Sequence, residues 1–222
     1  ILVIALMGLA VWKWMPAQQA ANQKVTIGFQ ASPPMALLMV AKDKGFFVEE
    51  GLDVELKEFT AGKLALQAFL GGSLDYAVSG DVPAALALMQ GNSFIIPAQV
   101  VGRTQNEVRI VARKNSTTTA KGYFTSAKRK LATSIGGGPE FFTYEFLNAL
   151  NIPKDRIEII AQSPSDMPAA LLSRSVDAIA VFDPFAYFAE KQLGASAITF
   201  VNKDIYSELY VLEAKESDRS NP

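Results

Sequence analysis

Two segments roughly a hundred residues apart share one pattern. Residues 74–85 read L-D-Y-A-V-S-G-D-V-P-A-A, and residues 176–186 read V-D-A-I-A-V-F-D-P-F-A. Each has an Asp, a short run of small and apolar residues, and a second Asp six positions after the first: Asp75 and Asp81 in one copy, Asp177 and Asp183 in the other. An apolar run that short, stopped by turn residues, has the length of a buried strand rather than a helix. Its repetition predicts two similar halves, each ending a central strand at the same kind of place.

The pattern around each copy extends that reading. Residues 25–29, V-T-I-G-F, form a first predicted strand, and Ser32-Pro33-Pro34 is a breaker that can open a helix, because Pro suits the first helical turn. A helix is expected over residues 35–44, stopped by Gly45, then a strand over 53–59 and a helix over 63–70. A strand over 76–79 and a helix over 82–90 follow. The alternation resumes with strands over 131–135, 157–160 and 178–182, and helices over 140–150, 166–172 and 184–193. Strands alternating with helices imply an α/β fold of mostly parallel sheets flanked by helices, and the twinned segments suggest two lobes whose strand ends face each other across a cleft. The expected boundaries are residues 24–112 for the first lobe, 113–200 for the second and 201–222 for a segment returning toward the first. The polar stretch 114–122, K-N-S-T-T-T-A-K-G, is the predicted crossing.

Composition narrows the function. A length of 222 residues, half of them apolar, allows a proper core in each lobe. A net charge of −1 without any sustained Lys/Arg stripe excludes a nucleic-acid partner. The chain has no cysteine and no histidine, which excludes disulfides, thiolate and imidazole catalysis and Cys/His zinc sites. Residues 1–17 begin with fifteen almost wholly apolar residues, with Trp12 and Trp14 around Lys13, and fit a membrane anchor or signal segment. Either sends the rest of the chain to the periplasm or the outer face of the cytoplasmic membrane. No cofactor is implied.

In α/β sheets a ligand sits beyond the carboxyl ends of the strands, where helix N-termini point. The candidate turns are therefore Gln30-Ala31-Ser32-Pro33, Thr60-Ala61-Gly62, Ser79-Gly80-Asp81 and Ile135-Gly136-Gly137-Gly138-Pro139-Glu140, with Phe141 beyond the last. Three glycines before a helix leave backbone N–H groups uncovered for an anion or a carbonyl. They form neither a P-loop nor a dinucleotide fingerprint. Asp81 and Asp183 each read equally as a helix cap or as a ligand contact, and Phe182 and Phe185 flank Asp183. Arg103 is the nearest basic candidate.

The segments K-V-T-I-G-F-Q-A-S-P-P-M-A-L-L-M-V-A-K-D-K-G-F-F-V-E-E-G-L-D-V-E-L-K-E-F-T-A-G, G-G-S-L-D-Y-A-V-S-G-D-V-P-A, G-G-G-P-E-F-F-T-Y-E-F-L and V-D-A-I-A-V-F-D-P-F-A together resemble the periplasmic substrate-binding proteins of nitrate/sulfonate/taurine-type ABC importers, which include thiamine-pyrimidine receptors. The resemblance spans about residues 24–215. It implies a monomeric two-lobed receptor, without enzymatic activity, that delivers a small-molecule solute to an ABC transporter permease. The site residues it implies are Gln30, Ser32, Pro33, Thr60, Gly62, Ser79, Gly80, Asp81, Gly137, Gly138, Glu140, Phe141, Phe182 and Asp183. It also implies further helices beyond Leu212 that pack back on the first lobe, so the chain is expected to be a piece of a longer protein. The alternatives are a biosynthetic enzyme on the same fold, which the missing His and Cys disfavour, and the ectodomain of a sensor.

Overall fold

The computed structural model describes residues 23–104, 108–117 and 119–220. The apolar segment expected to anchor or export the chain lies outside the described residues, as does the side chain of Arg103. Among the described residues, no helix is long and apolar enough to cross a membrane.

The first lobe opens with β1 (Gln23–Gln30), a 3₁₀ turn at Pro33–Met35, α1 (Ala36–Asp43) and α2 (Phe46–Glu49). It continues through β2 (Leu52–Phe59), α3 (Gly62–Leu70), β3 (Tyr76–Gly80), α4 (Asp81–Met89) and β4 (Ile95–Thr104). The second holds β5 (Arg109–Arg113), α5 (Ala120–Thr125), β6 (Arg129–Thr133), α6 (Gly138–Ala149), β7 (Ile157–Ala161), α7 (Met167–Leu172), β8 (Ala178–Val181), α8 (Phe185–Leu193) and β9 (Ala197–Phe200). The chain then returns as β10 (Glu208–Ala214).

The two five-stranded sheets have the orders β2-β1-β3-β10-β4 and β7-β6-β8-β5-β9. They are built to one plan. Three parallel strands stand on one side, and the fourth position holds a strand antiparallel to both neighbours: β10 in one sheet, β5 in the other. The reversal has a simple cause. Strands β1, β3, β6 and β8 end facing the other lobe, so a strand entering from that lobe must run away from it. Residues 109–112, expected at the end of the first lobe, therefore form the entering strand of the second sheet. Residues 114–117, expected to cross between lobes, instead follow β5 inside the second lobe toward α5.

Both faces of each sheet are covered at its centre, which is why β3 and β8 read as short, almost unbroken runs of small and apolar residues. In the first lobe Ala65, Leu66 and Phe69 of α3 and Ala84 and Ala87 of α4 pack on one face. Phe29, Met35, Val78 and Tyr210 fill the other. The second lobe repeats this with Tyr123, Phe124, Phe142 and Phe146 on one side and Met167, Leu171, Ala186 and Ala189 on the other. Burying each large apolar side chain contributes about 1.5–3 kcal/mol.

The first Asp of each twinned segment has the same task in both lobes. Asp75 Oδ2 accepts from Thr26 N–H at 2.8 Å, and Asp75 N–H donates to the Thr26 carbonyl. Asp177 Oδ2 accepts from Lys130 N–H at 2.8 Å, and Asp177 N–H donates to the Lys130 carbonyl. Each pins the start of β3 or β8 to the neighbouring β1 or β6 and so fixes the register of the two central strands. The hydrogen bonds from Thr26 hold the Asp75 carboxyl below its ordinary pKa.

Candidate functional site: the cleft between the lobes

Helices α3, α4 and α6 begin at the carboxyl ends of β2, β3 and β6, two from the first lobe and one from the second. Their N-cap residues are Ala61, Gly80 and Gly137, and no N-cap side chain bonds to the first turn. Such turns present the positive ends of helix dipoles, although Gly62 N–H is bonded to Gln30 and Val82 N–H to Asp81. Together they bound a cavity of about 20 Å³ lined by Gln30, Gly62, Lys63, Ser134 and Phe182 besides the three turns, and by Glu208 from the returning strand. That volume holds roughly one water molecule. A wider opening of about 320 Å³ adjoins it along Thr60, Leu64, Ile135, Gln162 and Ser163.

A chain of hydrogen bonds runs through the first-lobe wall. Gly62 N–H donates to Gln30 Oε1 at 3.0 Å, Gln30 Nε2 donates to the Tyr210 hydroxyl at 3.3 Å, and that hydroxyl donates to Glu208 Oε2 at 3.3 Å. Glu208 is buried with its carboxylate at the seam between the lobes. A Cβ placed on Gly138 of the second lobe would stand 2.8 Å from Glu208 Oε1 and 2.8 Å from the Tyr206 hydroxyl, and one on Gly80 of the first lobe would meet the same carboxylate oxygen. The glycines of the triple run thus have separate uses. Gly136 turns at φ +75°, Gly137 is the N-cap, and Gly138 admits Glu208 and Tyr206. Lys63 reaches across the cleft and donates from Nζ to the Ile135 carbonyl.

Of the residues expected at the site, Gln30, Gly62, Gly80, Gly137, Gly138 and Phe182 line the cavity, and Thr60 lines the wider opening. The others stand beside it. Ser32 is buried before the Pro33–Met35 turn, where Pro33 is exposed. Ser79 donates to Glu213 in the sheet behind the cavity. Asp81 accepts from the Tyr206 hydroxyl at 2.8 Å and from Val82 N–H at 3.0 Å. Glu140 Oε2 accepts from Gly136 N–H at 2.7 Å and braces the glycine turn, and Phe141 lies edge-on to Tyr206.

Asp183 is engaged within its own lobe. Arg109 donates from Nη1 to its Oδ2 at 3.1 Å and from Nη2 to its Oδ1 at 2.8 Å, and Tyr187 N–H donates to Oδ1 at 3.1 Å. Arg109 also donates from Nε to Glu190 at 2.9 Å. Burial opposes the Arg109 charge, but the hydrogen bonds to Glu190 and Asp183 outweigh it and hold the guanidinium protonated. The two second Asp residues of the twinned segments thus part ways: Asp81 ties a helix start to the returning segment, and Asp183 clasps β5, the strand that enters the lobe.

Sequence reasoning missed Lys63, Ser134 and the Tyr206-Ser207-Glu208-Leu209-Tyr210 segment. A usable signal was present in that segment, because a carboxylate flanked at alternate positions by two tyrosines suits one polar, partly buried strand face. Its partners stand far away in the chain: Tyr206 with Asp81, and Tyr210 with Gln30.

Among known proteins, a putative binding protein of Brucella abortus is 25% identical over 193 residues, covering 85% of this chain and 57% of its own length. A Bacillus subtilis protein provisionally named an aliphatic sulfonates-binding protein is 23% identical over 209 residues, covering 90% of this chain and 60% of its own. The chain thus spans less than two thirds of the length of these curated relatives. Among solved structures, the alkanesulfonate-binding protein of Xanthomonas axonopodis pv. citri, bound to MOPS, superposes with a TM-score of 0.74 at 21% identity, over 90% of this chain and 68% of that one. The periplasmic nitrate-binding protein of Synechocystis PCC 6803 superposes with a TM-score of 0.73 at 19% identity, over 90% of this chain and 57% of that one. These likenesses bear out the two-lobed periplasmic-binding-protein fold. With residues 18–209 matching the family's model, the chain belongs to the NMT1-like family.

Proposed function

We propose that the protein is the extracytoplasmic solute-binding component of an ABC importer, taking up a small solute of the sulfonate, nitrate or thiamine-pyrimidine kind between its lobes and passing it to a membrane permease. The observation that carries this reading is the convergence of three uncapped helix starts, from both lobes, on one cleft. A site built half from each lobe is completed only when the lobes come together, which couples occupancy to shape. The relatives named as binding proteins, and the solved structures of sulfonate- and nitrate-binding proteins, support it. An enzyme is disfavoured by a sequence without His or Cys and by the engagement of Asp183 with Arg109. The present cavity is too small for an organic solute, so entry requires the lobes to part.

A thermal-melt series with taurine, alkanesulfonates, nitrate, bicarbonate and thiamine-type pyrimidines tests the reading. A ligand at a hundredfold excess over its Kd stabilises the native state by about 2.7 kcal/mol. An upward shift with one compound class is the expected outcome. A cooperative melt that none of them moves counts against it.

A further inference from the structure

The geometry points to a docking surface for an anionic lipid bilayer at the end of the second lobe away from the cleft, with a groove there that seats one acyl chain. Strands β6, β7 and β8 run parallel toward the cleft, and β5 runs antiparallel beside β8. The starts of the first three and the end of β5 therefore share the opposite pole. These four strands are neighbours in the sheet, so at about 4.8 Å per step their ends lie within ~15 Å. Segments 113–114, 128–130, 154–158 and 174–177 flank those ends. They hold eight Lys or Arg against three Asp or Glu, a local net charge of +5 in a chain whose total is −1. Lys114, Lys128, Lys130, Lys154, Arg156 and Arg174 are exposed, and none of the six is in an ion pair among the described residues. Asp177, one of the three acids, is already held by Lys130 N–H and by Arg129. The span of the pole is comparable with a screening length of about 8–10 Å, so the charges act on a surface together. No single stretch of sequence shows this, because the fold gathers the cations from four.

An independent feature favours a lipid over other polyanions. Beside the start of β7 a groove of about 220 Å³ opens between that edge strand and α6. Leu147, Ile152, Ile157 and Ile159 make it apolar, and Tyr144, Asn148 and Lys154 complete its lining. An apolar cavity of about 150 Å³ lined by such side chains takes up benzene, so this one has room for the end of an acyl chain. Lys154 belongs to the groove and to the basic pole alike, so a chain entering the groove carries its anionic headgroup to an ammonium. A single-stranded nucleic acid would call for aromatic rings among the cations, and the four segments contain none. The surface lies away from the cleft and stands whether or not the cleft takes a solute.

The test is vesicle binding by the whole chain. Phosphatidylcholine vesicles are compared with vesicles in which about a quarter of the lipid is phosphatidylglycerol. The apolar residues 1–17 suit either vesicle, so the readout is the difference between the two. Co-sedimentation is expected to put about fivefold more protein on the anionic vesicles at low salt, with the preference lost at about 0.5 M salt. The triple variant Lys128→Glu, Lys130→Glu, Lys154→Glu, checked for an unchanged melt, should abolish that preference, and the milder triple change to Gln should remove most of it. The chain has no cysteine, so a fluorophore on Ala149→Cys reports on the end of α6 beside the groove. Phosphatidylglycerol brominated in its acyl chains should quench it, and should not quench the same label on Lys57→Cys in the first lobe. Equal binding to both vesicles, or a preference that survives either triple variant, overturns the surface. Absence of quenching at position 149 overturns the groove as a chain site. Soluble polyphosphate that binds the pole as tightly as the anionic vesicles do, charge for charge, overturns the lipid in favour of a free polyanion. None of these outcomes bears on the solute reading, which the melt series decides.

Discussion

Arg109 and Asp183 show how a residue's chemistry depends on which partner reaches it first. The Arg109 side chain is 13% exposed and spans two carboxylates, Asp183 and Glu190, so removing it leaves two negative charges near each other and partly buried. Arg109→Leu is expected to cost about 3 kcal/mol in urea unfolding. Asp183→Asn keeps the shape and loses charge-assisted bonding, for a cost of about 1–2 kcal/mol. Solute affinity in Asp183→Asn should stay within about twofold of wild type, and a larger loss would return Asp183 to the ligand. From sequence, this residue reads equally as a cap and as a contact, since a carboxylate at a helix start favours either. The deciding fact is a guanidinium 74 positions away. No local pattern reports it.

At the scale of elements, β10 carries the polar content of the first sheet. Its Glu213 is fully buried beside Ser79, and burial pushes its carboxyl up to about 8, against the smaller opposing effect of the Ser79 hydrogen bond. The folded state therefore binds a proton that the unfolded chain, near 4.5, releases. The stabilisation is complete below about 4.5 and is lost as pH rises through 8, at up to about 1.4 kcal/mol per pH unit. Denaturation between pH 5 and 9 should show stability falling with pH in the wild type, and a flatter profile in Glu213→Gln. Asp75 works in the opposite sense: its lowered pKa gives stability present above about 3.8 and lost as pH falls below it. Most helices, though not α2 or α5, and the parallel strands were legible in the sequence because their periodicity and breakers are local. β4, β5, β9 and β10 were not, because such edge and entering strands are defined by where the chain crosses, which no short window records.

For the whole molecule, the lobes meet through Lys63, whose bond to Ile135 is a direct link from α3 to the opposite side of the cleft. Lys63→Met is expected to weaken solute binding about fivefold by removing one bond from the closed form, about 1 kcal/mol. The melting temperature of the solute-free protein should change little, because the residue is partly exposed. Small-angle scattering should show the radius of gyration falling on addition of a solute that binds, and an unchanged radius would argue against closure. The two-lobe plan was readable from the twinned Asp segments, which do occupy equivalent places in the two sheets. The seam itself was not, since Glu208 enters it from a segment read only as a return toward the first lobe.

The placement of β10 also sets an order in time. The second sheet is drawn from one continuous stretch, β5 to β9, whereas the first has a gap between β3 and β4 that only β10 fills. During synthesis the half made first therefore waits for the half made second, with β4 lacking its neighbour between it and β3 until β10 emerges. A nascent chain halted before Glu208 would carry one finished lobe and one unfinished. The unfinished half would have an open slot flanked by two unpaired strand edges, a ready template for pairing with another chain.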